Sequence, residues 1–429
     1  MSSKRQRPAN ENVKQVKQAR RENDMPTWER QFPVNGQGTL VFNKDTEVPF
    51  VISVENEKGH YGLSIHIEKD HAMFVQRIGE ERKKLSLIHE KECGIEKGKI
   101  SYWYSYDRDN LVLKYGKGYR MEETTILTHD FLKNAASEKE KEEIRKELYP
   151  YFNAAEKKFI RKYETMSVNS KGVTVTEEMV EFDKNPLISN VSPLVLDSSK
   201  VNLFFLDGSD YIFSASLPPA CRELYENIKG CQLNYPEEVT GVLLSDAIRY
   251  SIETKNCLLN KRLKDKADEF GGHDIKETYL RVTLGQSLGK SPGIPYVLEI
   301  WPKGHYSPIH NHGNANAVIR VLYGSIHIMN YNKHVSSPHA KPMKEFDARE
   351  GDVTWINRNW YQTHKLKNTS NDYCATIQCY NYDAGDTTHW PYFDYISENS
   401  TIEEFFPNSD FTFREMREQV LKEYKQSLE

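Results

Sequence analysis

Three histidines in the last third of the chain have the residue type and the spacing of a metal site. His310 and His312 are two positions apart in a strand-like stretch, so both imidazoles should project to the same face. A second strand-like unit, which opens at Gly351, delivers His364. One histidine on a strand is usually a packing or surface residue, but three that converge from two strands favour a shared divalent metal ion.

The bulk composition describes a large, weakly acidic chain with more than one core. Its 429 residues exceed what a single hydrophobic core usually serves, and 38% hydrophobic residues are enough to pack two. The net charge of −4 gives no general attraction to nucleic acid, so nucleic acid is not an expected partner. The six cysteines form no C-x-x-C pair, which fits reduced thiols in the cytoplasm.

The apolar pattern predicts neither a secretory signal nor a membrane anchor. The N-terminus has no apolar signal-peptide core, and no apolar run approaches the ~20 residues that span a bilayer. We therefore expect a cytoplasmic protein. Residues 1–25 should be a disordered tail, and their basic clusters at 4–7 and 20–21 are either solvated charges or a nuclear import signal.

The pattern along the rest of the chain predicts a mainly β protein with two domains. Residues 26–128 alternate strand-like runs with Gly, Asp and Asn, which is typical of an antiparallel β-sandwich. Residues 129–218 change to helical and mixed composition and are predicted to connect the two domains. Residues 219–429 begin with helical patterns and continue as the strands that carry the histidines.

One stretch of the first domain is rich in aromatic residues. Residues 100–118 resemble the hairpin of the lectin-like β-sandwich domain in farnesoic acid O-methyltransferase-type proteins. This resemblance implies a β-sandwich that binds a ligand or a protein, and it does not imply methyl transfer. Tyr102, Trp103 and Tyr104 could stack on such a ligand, but three consecutive aromatics on a strand place at least one inward. For Trp103 we expect packing in the core.

The histidine region follows the two-part motif of the cupin superfamily. The residues that carry this resemblance are Gly304, His310, His312 and Gly324 in the first part, and Gly351, His364 and Asn368 in the second. It implies a C-terminal cupin β-barrel, or jelly roll, with flanking helices. Many cupins complete the first part with a glutamate, but this chain has Ala317 there. Three neutral ligands would leave a bound ion most of its charge.

Within the cupins, the region resembles cysteine dioxygenase of type I. The matching positions are 279–281, Trp301, 304–305, 307–312, 355–357, His364 and 376–380. The resemblance implies a non-haem iron oxidoreductase that oxidises L-cysteine with O2 to cysteine sulfinic acid. It assigns Fe(2+) to the three histidines, substrate binding to Arg281 and Tyr279, and a catalytic role to Tyr380. An arginine fork suits an α-carboxylate, although Arg281 could also be an exposed cross-strand partner.

Two positions depart from that family. Gln378 stands where its members have a histidine that orients the tyrosine, and Ala317 stands where mammalian members have a cysteine cross-linked to that tyrosine. These departures leave the metal ligands intact but alter the surroundings of Tyr380. Within the same class of reaction, 3-mercaptopropionate and cysteamine are the alternative substrates. A third alternative is a cupin that binds or senses a ligand without catalysis.

Overall fold

The structure is a computed structural model that describes residues 28–31, 36–56, 60–90, 92–108, 110–152, 164–170, 172–186, 188, 191–208, 210–234, 241–284, 296–333, 341–382 and 392–429. Two compact units divide the chain, Met1–Ser189 and Asn190–Glu429. The predicted tail, residues 1–25, lies outside the described residues. No helix among those described is long and apolar enough to cross a membrane.

The first unit is a β-sandwich, and its described residues include one α-helix, Glu138–Phe152. Its strands are β1 (Trp28–Gln31), β2 (Gln37–Lys44), β3 (Phe50–Asn56), β4 (Tyr61–Ile67), β5 (Ala72–Ile78), β6 (Glu81–Ile88), β7 (Ile100–Asp107), β8 (Val112–Lys117), β9 (Thr125–Asp130), β10 (Glu164–Ser170) and β11 (Val180–Asp183). One antiparallel sheet has the order β1-β10-β3-β4-β5-β6, and the other has the order β11-β2-β7-β8-β9. Phe50 of the first sheet packs edge-on against Tyr102 of the second, with ring centroids 5.0 Å apart.

The sandwich extends further along the chain than the predicted boundary at residue 128. Strand β10 pairs with both β1 and β3, and β11 pairs with β2. Both strands lie in the segment 129–218 that we predicted to be a connecting region. That segment is therefore divided between the two units. Short strands with polar residues resemble loops in sequence, because only their pairing partners, distant along the chain, identify them as strands.

The aromatic stretch of β7 is part of the core. Tyr102, Trp103 and Tyr104 are 1%, 0% and 1% exposed, so stacking of these rings on an external ligand is excluded, and that expectation was wrong. The packing role expected for Trp103 is confirmed: its indole N–H donates to the Tyr119 carbonyl oxygen at 3.0 Å. Gly116 lies directly under this ring, and any Cβ there would overlap it.

The second unit contains two six-stranded sheets and one short parallel pair. Its strands are β12 (Val195–Leu196), β13 (Ile212–Phe213), β14 (Leu280–Thr283), β15 (Tyr296–Trp301), β16 (Ile309–His310), β17 (Asn316–Tyr323), β18 (Ser325–Asn330), β19 (Lys344–Arg349), β20 (Val353–Ile356), β21 (His364–Lys367), β22 (Cys374–Asn381), β23 (Phe393–Ile396), β24 (Ile402–Phe405) and β25 (Phe411–Thr412). The orders are β20-β17-β22-β15-β14-β25 and β19-β18-β21-β16-β23-β24, with β12 beside β13.

The chain passes repeatedly from one large sheet to the other between β15 and β23, which is the winding of a jelly roll. Trp301 and Val321 of one sheet share a buried apolar cluster with Ile326, Ile328 and Leu366 of the other. The predicted mainly β fold is confirmed. The described ladders form two packed sheets, and none of them joins one sheet to the other.

Helices flank these sheets, as predicted. They are Leu203–Asp207, Pro219–Ile228, Leu244–Glu253, Leu258–Asp265 and Phe413–Leu428. Pro219 suits the first turn of its helix because a proline there lacks only an N–H that would have no partner within the helix. The last helix begins with a capping box, in which Thr412 and Glu415 satisfy each other's backbone N–H groups.

Candidate metal centre

The register of three strands brings the histidines to one place. His310 in β16 lies directly opposite His364 in β21, and Asn330 in β18 lies opposite His364 on its other side. Residues that face each other across a ladder project to the same side of the sheet. His312 follows His310 by two positions and returns to that side.

The three imidazoles form a compact, buried cluster. The ring centroids are 4.9 Å apart for His310 and His312, 4.8 Å for His310 and His364, and 4.7 Å for His312 and His364. One ring nitrogen of each residue lies within 4.8 Å of the others. The side chains come from β16, the turn after it and β21, so the folded sheet supplies the convergence that the sequence spacing predicted.

Backbone carbonyls set the orientation of two of these rings. The Nδ1 atom of His310 is 3.1 Å from the Pro308 carbonyl oxygen, and Nδ1 of His312 is 3.3 Å from that of Gln362. A carbonyl oxygen can only accept, so Nδ1 carries the proton in both rings and Nε2 keeps its lone pair. Nε2 of His364 is buried and has no hydrogen-bond partner among the described residues. These free nitrogens are the donors that a metal ion requires.

The electrostatics of the cluster favour neutral imidazoles. Burial lowers the pKa of His310 to about 4, and the cation of Arg281 acts in the same direction. Burial also lowers the pKa of His312 and His364 well below the usual value, helped by the neighbouring histidines. Neutral histidine is the form that binds metal, so the residues present fit a divalent transition-metal ion. Among the described residues, no carboxylate joins this cluster.

Further buried polar atoms face the same interior without a partner. Arg281 Nε, Thr376 Oγ1 and Asn330 Nδ2 have no hydrogen-bond partner in the described part of the protein. A cavity between the two sheets is lined by His364, Asn330 and Thr376 among apolar side chains. Because buried polar groups are normally hydrogen-bonded, Asn330 Nδ2 and Thr376 Oγ1 are polar atoms that a group bound in this cavity could satisfy.

Tyr380 lies beside the cluster. Its ring stacks on that of His312, with centroids 6.1 Å apart and an interplanar angle of 20°. Its hydroxyl donates to Oε1 of Gln378, which stands where the family that the sequence resembles has an orienting histidine. Burial raises the pKa of Tyr380, so the phenol keeps its proton at neutral pH. Gln378 can therefore orient this hydroxyl in place of a histidine.

Arg281 is buried and paired with an acid that the sequence analysis missed. Its Nη1 donates to Oε1 of Glu299 at 2.7 Å, and the two residues are 5% and 2% exposed. The other oxygen of Glu299 accepts from Nε2 of Gln378, so Glu299 connects Arg281 to the Tyr380 hydroxyl. The alternative of an exposed cross-strand pair is wrong: Arg281 and Glu299 are opposite each other across β14 and β15, but in the interior.

Tyr279 lies two residues before Arg281, at the edge of the same interior. It is 3% exposed, and its ring stacks on Trp301 with centroids 4.0 Å apart. Its carbonyl oxygen accepts from Nζ of Lys266 at 3.0 Å, and the Arg281 backbone N–H donates to Asp410 at 2.8 Å. These contacts fix β14, and with it the position of the Arg281 side chain.

A signal for Glu299 was present in the sequence. It is the only charged residue in β15, which otherwise consists of Tyr, Val, Leu, Ile and Trp. A charged residue in such an apolar run is buried with it and needs a partner. The identity of that partner depends on the register between β14 and β15, which single-sequence patterns do not determine.

No family model matches this chain. Among solved structures, a cupin superfamily protein from Desulfitobacterium hafniense DCB-2 is 14% identical, with a TM-score of 0.19 over 25% of this chain and 79% of that one. The Schizosaccharomyces pombe Cnp3 cupin domain is 13% identical, with a TM-score of 0.18 over 24% and 65%. A predicted oxalate decarboxylase from Thermotoga maritima is 16% identical, with a TM-score of 0.17 over 20% and 64%. None of these values assigns the chain to a family.

Proposed function

We propose that this protein is an iron-dependent thiol dioxygenase that converts a small thiol and O2 into a sulfinic acid. The observation that carries the proposal is the buried cluster of His310, His312 and His364, with no carboxylate among its described ligands. Neutral imidazoles suit Fe(II) as well as other divalent transition metals. The resemblance of residues 279–380 to cysteine dioxygenase supports the choice of Fe(2+).

Bound iron would supply the redox chemistry that allows dioxygen to react with a thiolate. His310, His312 and His364 would hold the ion through their imidazoles, and their burial, at most 7% exposed, would keep bulk water away from it. The overall change is balanced without an external reductant: both oxygen atoms end on sulfur, and the electrons that dioxygen accepts come from sulfur.

Tyr380 and Gln378 supply an oriented hydroxyl next to the metal ligands. Tyr380 stacks on His312, and Gln378 accepts from its hydroxyl. An O–H group placed there can donate a hydrogen bond to oxygen or sulfur as negative charge develops on them. Tyr380 is therefore the proposed catalytic residue, with Gln378 as the residue that positions it.

L-Cysteine is the substrate that the resemblance implies, with Arg281 and Tyr279 beside its carboxylate. 3-Mercaptopropionate and cysteamine are the alternatives within the same reaction. A ligand-binding or sensor protein without catalysis is the alternative from another class. For the first unit we retain the proposal of a ligand or protein partner, at a surface other than the buried aromatics of β7.

The test is aerobic incubation of the iron-reconstituted protein with a panel of thiols. Oxygen uptake is followed with an electrode and the sulfinate by mass spectrometry. We expect uptake with at least one small thiol and its loss in His310→Ala. His327→Ala is the matched control, because His327 lies on neighbouring β18 but bonds Asp347 and Glu345 at the surface.

Two outcomes would contradict the proposal. Normal turnover in His310→Ala would show that the histidine cluster does not take part in the reaction. Stoichiometric iron without oxygen uptake from any thiol would instead favour the ligand-binding alternative.

A further inference from the structure

Glu299 neutralises the positive charge of Arg281 that a negatively charged ligand would otherwise meet. The Arg281 guanidinium is the cation that would receive a substrate carboxylate, but its Nη1 already donates to Glu299 at 2.7 Å. Two carboxylates on one buried guanidinium would leave one negative charge uncompensated. Burying an uncompensated charge is costly, so the pair resists a second acid.

The hydrogen bonds around Glu299 fit its ionised form. One oxygen accepts from Arg281 and the other from Nε2 of Gln378, and both partners can only donate through these atoms. A protonated carboxyl would need an acceptor for its own O–H. The ionised pair therefore carries no net charge, in contrast to the unpaired arginine that binds carboxylates well.

Among the described side chains near Arg281, no cation is left without a carboxylate partner to replace the charge that Glu299 cancels. Lys266, the other buried cation near Glu299, forms ion pairs with Asp410 at 2.9 Å and Glu269 at 3.0 Å. Arg262 also pairs with Asp410, at 2.9 Å. These cationic side chains, Arg262, Lys266 and Arg281, are therefore all paired with carboxylates.

We propose that Glu299 makes this site select thiols that carry no free carboxylate, of which aminothiols such as cysteamine and carboxamides of cysteine are the chemical class. The proposal rests on the proposed thiol dioxygenase function and corrects the substrate implied by the resemblance. Arg281 Nε, which has no partner among the described residues, remains available to a neutral acceptor such as an amide oxygen.

The experiment compares L-cysteine with L-cysteinamide, which differ in the charge of a single group. Binding to the iron-reconstituted protein is measured at pH 8, where Glu299 is ionised, by titration calorimetry without dioxygen, and turnover is measured separately as oxygen uptake. Wild type should bind the amide roughly tenfold or more tightly than the acid, since a tenfold ratio needs only one charged hydrogen bond of ordinary strength. Cysteamine should be oxidised in preference to 3-mercaptopropionate.

Glu299→Gln tests the cause of this preference. The variant keeps an acceptor for Arg281 but removes the negative charge. The acid-to-amide ratio, which is the affinity for L-cysteine divided by that for L-cysteinamide, should therefore rise by roughly tenfold or more. The double variant with Arg281→Gln and Glu299→Gln is the matched control. Positions 281 and 299 together again carry no net charge, as in wild type, so the ratio should return toward that of wild type. Circular dichroism verifies that both variants fold. If Glu299→Gln does not fold, the double variant is compared directly with wild type, and the two should have similar acid-to-amide ratios.

The outcomes separate the two proposals. Tighter binding and faster turnover of L-cysteine than of its amide in wild type would overturn the selection by Glu299 while leaving the dioxygenase intact. A preference for the amide in calorimetry, with no thiol oxidised, would overturn the dioxygenase and leave the binding preference standing. An acid-to-amide ratio that does not change in Glu299→Gln would remove Glu299 as its cause.

Discussion

Ala317 lies directly opposite Tyr380 in the ladder between β17 and β22, and both residues are buried. The methyl group of Ala317 therefore occupies the place from which a longer side chain would contact the phenol ring. Since alanine has no sulfur, the thioether of the mammalian cysteine dioxygenases has no counterpart at this position. Because the two residues face each other, a cysteine at position 317 would place a sulfur next to the Tyr380 ring.

We expect Ala317→Cys to form a thioether with Tyr380 when the iron-loaded variant oxidises a thiol in air. The ladder places the new thiol next to the ring, and dioxygen is the oxidant that removes the two hydrogens. Peptide mapping by mass spectrometry detects the linked peptides. Ala348→Cys, a fully buried position in β19, should remain unlinked. A variant at 317 that oxidises thiols without ever linking would contradict the placement of Tyr380 at the reacting centre.

Replacing His364 should abolish metal binding in the second unit. His364→Ala removes one of three ligands, and we expect affinity to fall by more than the ~10–100-fold that loss of an outer-shell partner costs. Iron per chain after dialysis is the measurement. An exposed cluster, Asp70 with His71 and His89, could hold adventitious metal, so His71→Ala is measured in parallel. If the iron content per chain fell in His71→Ala but not in His364→Ala, the assignment of the metal site to the second unit would be wrong.

The metal-free protein should lose stability as the pH falls from about 6.5 to about 4. Burial lowers the pKa of His310 to about 4 in the folded state, whereas the unfolded chain has an ordinary histidine. Below the ordinary pKa the unfolded state binds a proton that the folded state does not, so the contribution of this residue is complete above pH 6.5 and declines below it. The difference amounts to about 3 kcal/mol for His310.

Urea unfolding with a chelator present, at pH 7 and at pH 5, measures this effect. His310→Gln should show a weaker dependence on pH than wild type, because its side chain does not titrate. Equal pH dependence in the two proteins would show that His310 is not buried as a neutral imidazole.

Substrate preference should also depend on pH through Glu299. Burial raises the pKa of Glu299 to about 7, against the opposing effect of Arg281 and Lys266. As the pH falls below 7, Glu299 gains a proton and the Arg281 charge becomes available, so the acid-to-amide ratio should rise. Calorimetry at pH 6 and pH 8 tests this, and Glu299→Gln corrects for ionisation of the ligands. A change in ratio that persists in that variant would not come from Glu299.

Tyr380→Phe should lower turnover without changing iron content. Removing an oriented proton donor typically costs about 10²-fold or more in rate. Tyr373→Phe is the matched control, since Tyr373 is also buried but donates to the Ser245 carbonyl oxygen at 3.0 Å, away from the cluster. Oxygen uptake at equal iron loading is the measurement. A similar rate in both variants would reduce Tyr380 to a packing residue.

The histidine cluster could be predicted from sequence because the residue type and the spacing of its members both indicate a metal site. His310 and His312 are two positions apart, and two-residue spacing on a strand is enough to place both rings on one side. His364 required the further assumption that its strand would pair with that of His310, and the structure has that pairing. The mainly β architecture was predictable for the same reason, since alternation is a local property.

Glu299 shows why the rest of the site could not be predicted. Its role in the site depends on its ion pair with Arg281, which lies on another strand. The register between the two strands is set by side-chain packing across the whole sheet. The same limit explains β10 and β11, whose membership of the sandwich depends on partners far away along the chain.

The pairing of His310 with His364 would also determine when the folding chain could bind the proposed metal ion. His310 and His312 leave the ribosome well before His364, and two histidines on an unpaired strand hold an ion only weakly. The third nitrogen arrives when β21 docks between β16 and β18. Binding of the proposed ion would therefore come late in folding, after the second unit has formed, and the bound ion would oppose the opening of β21.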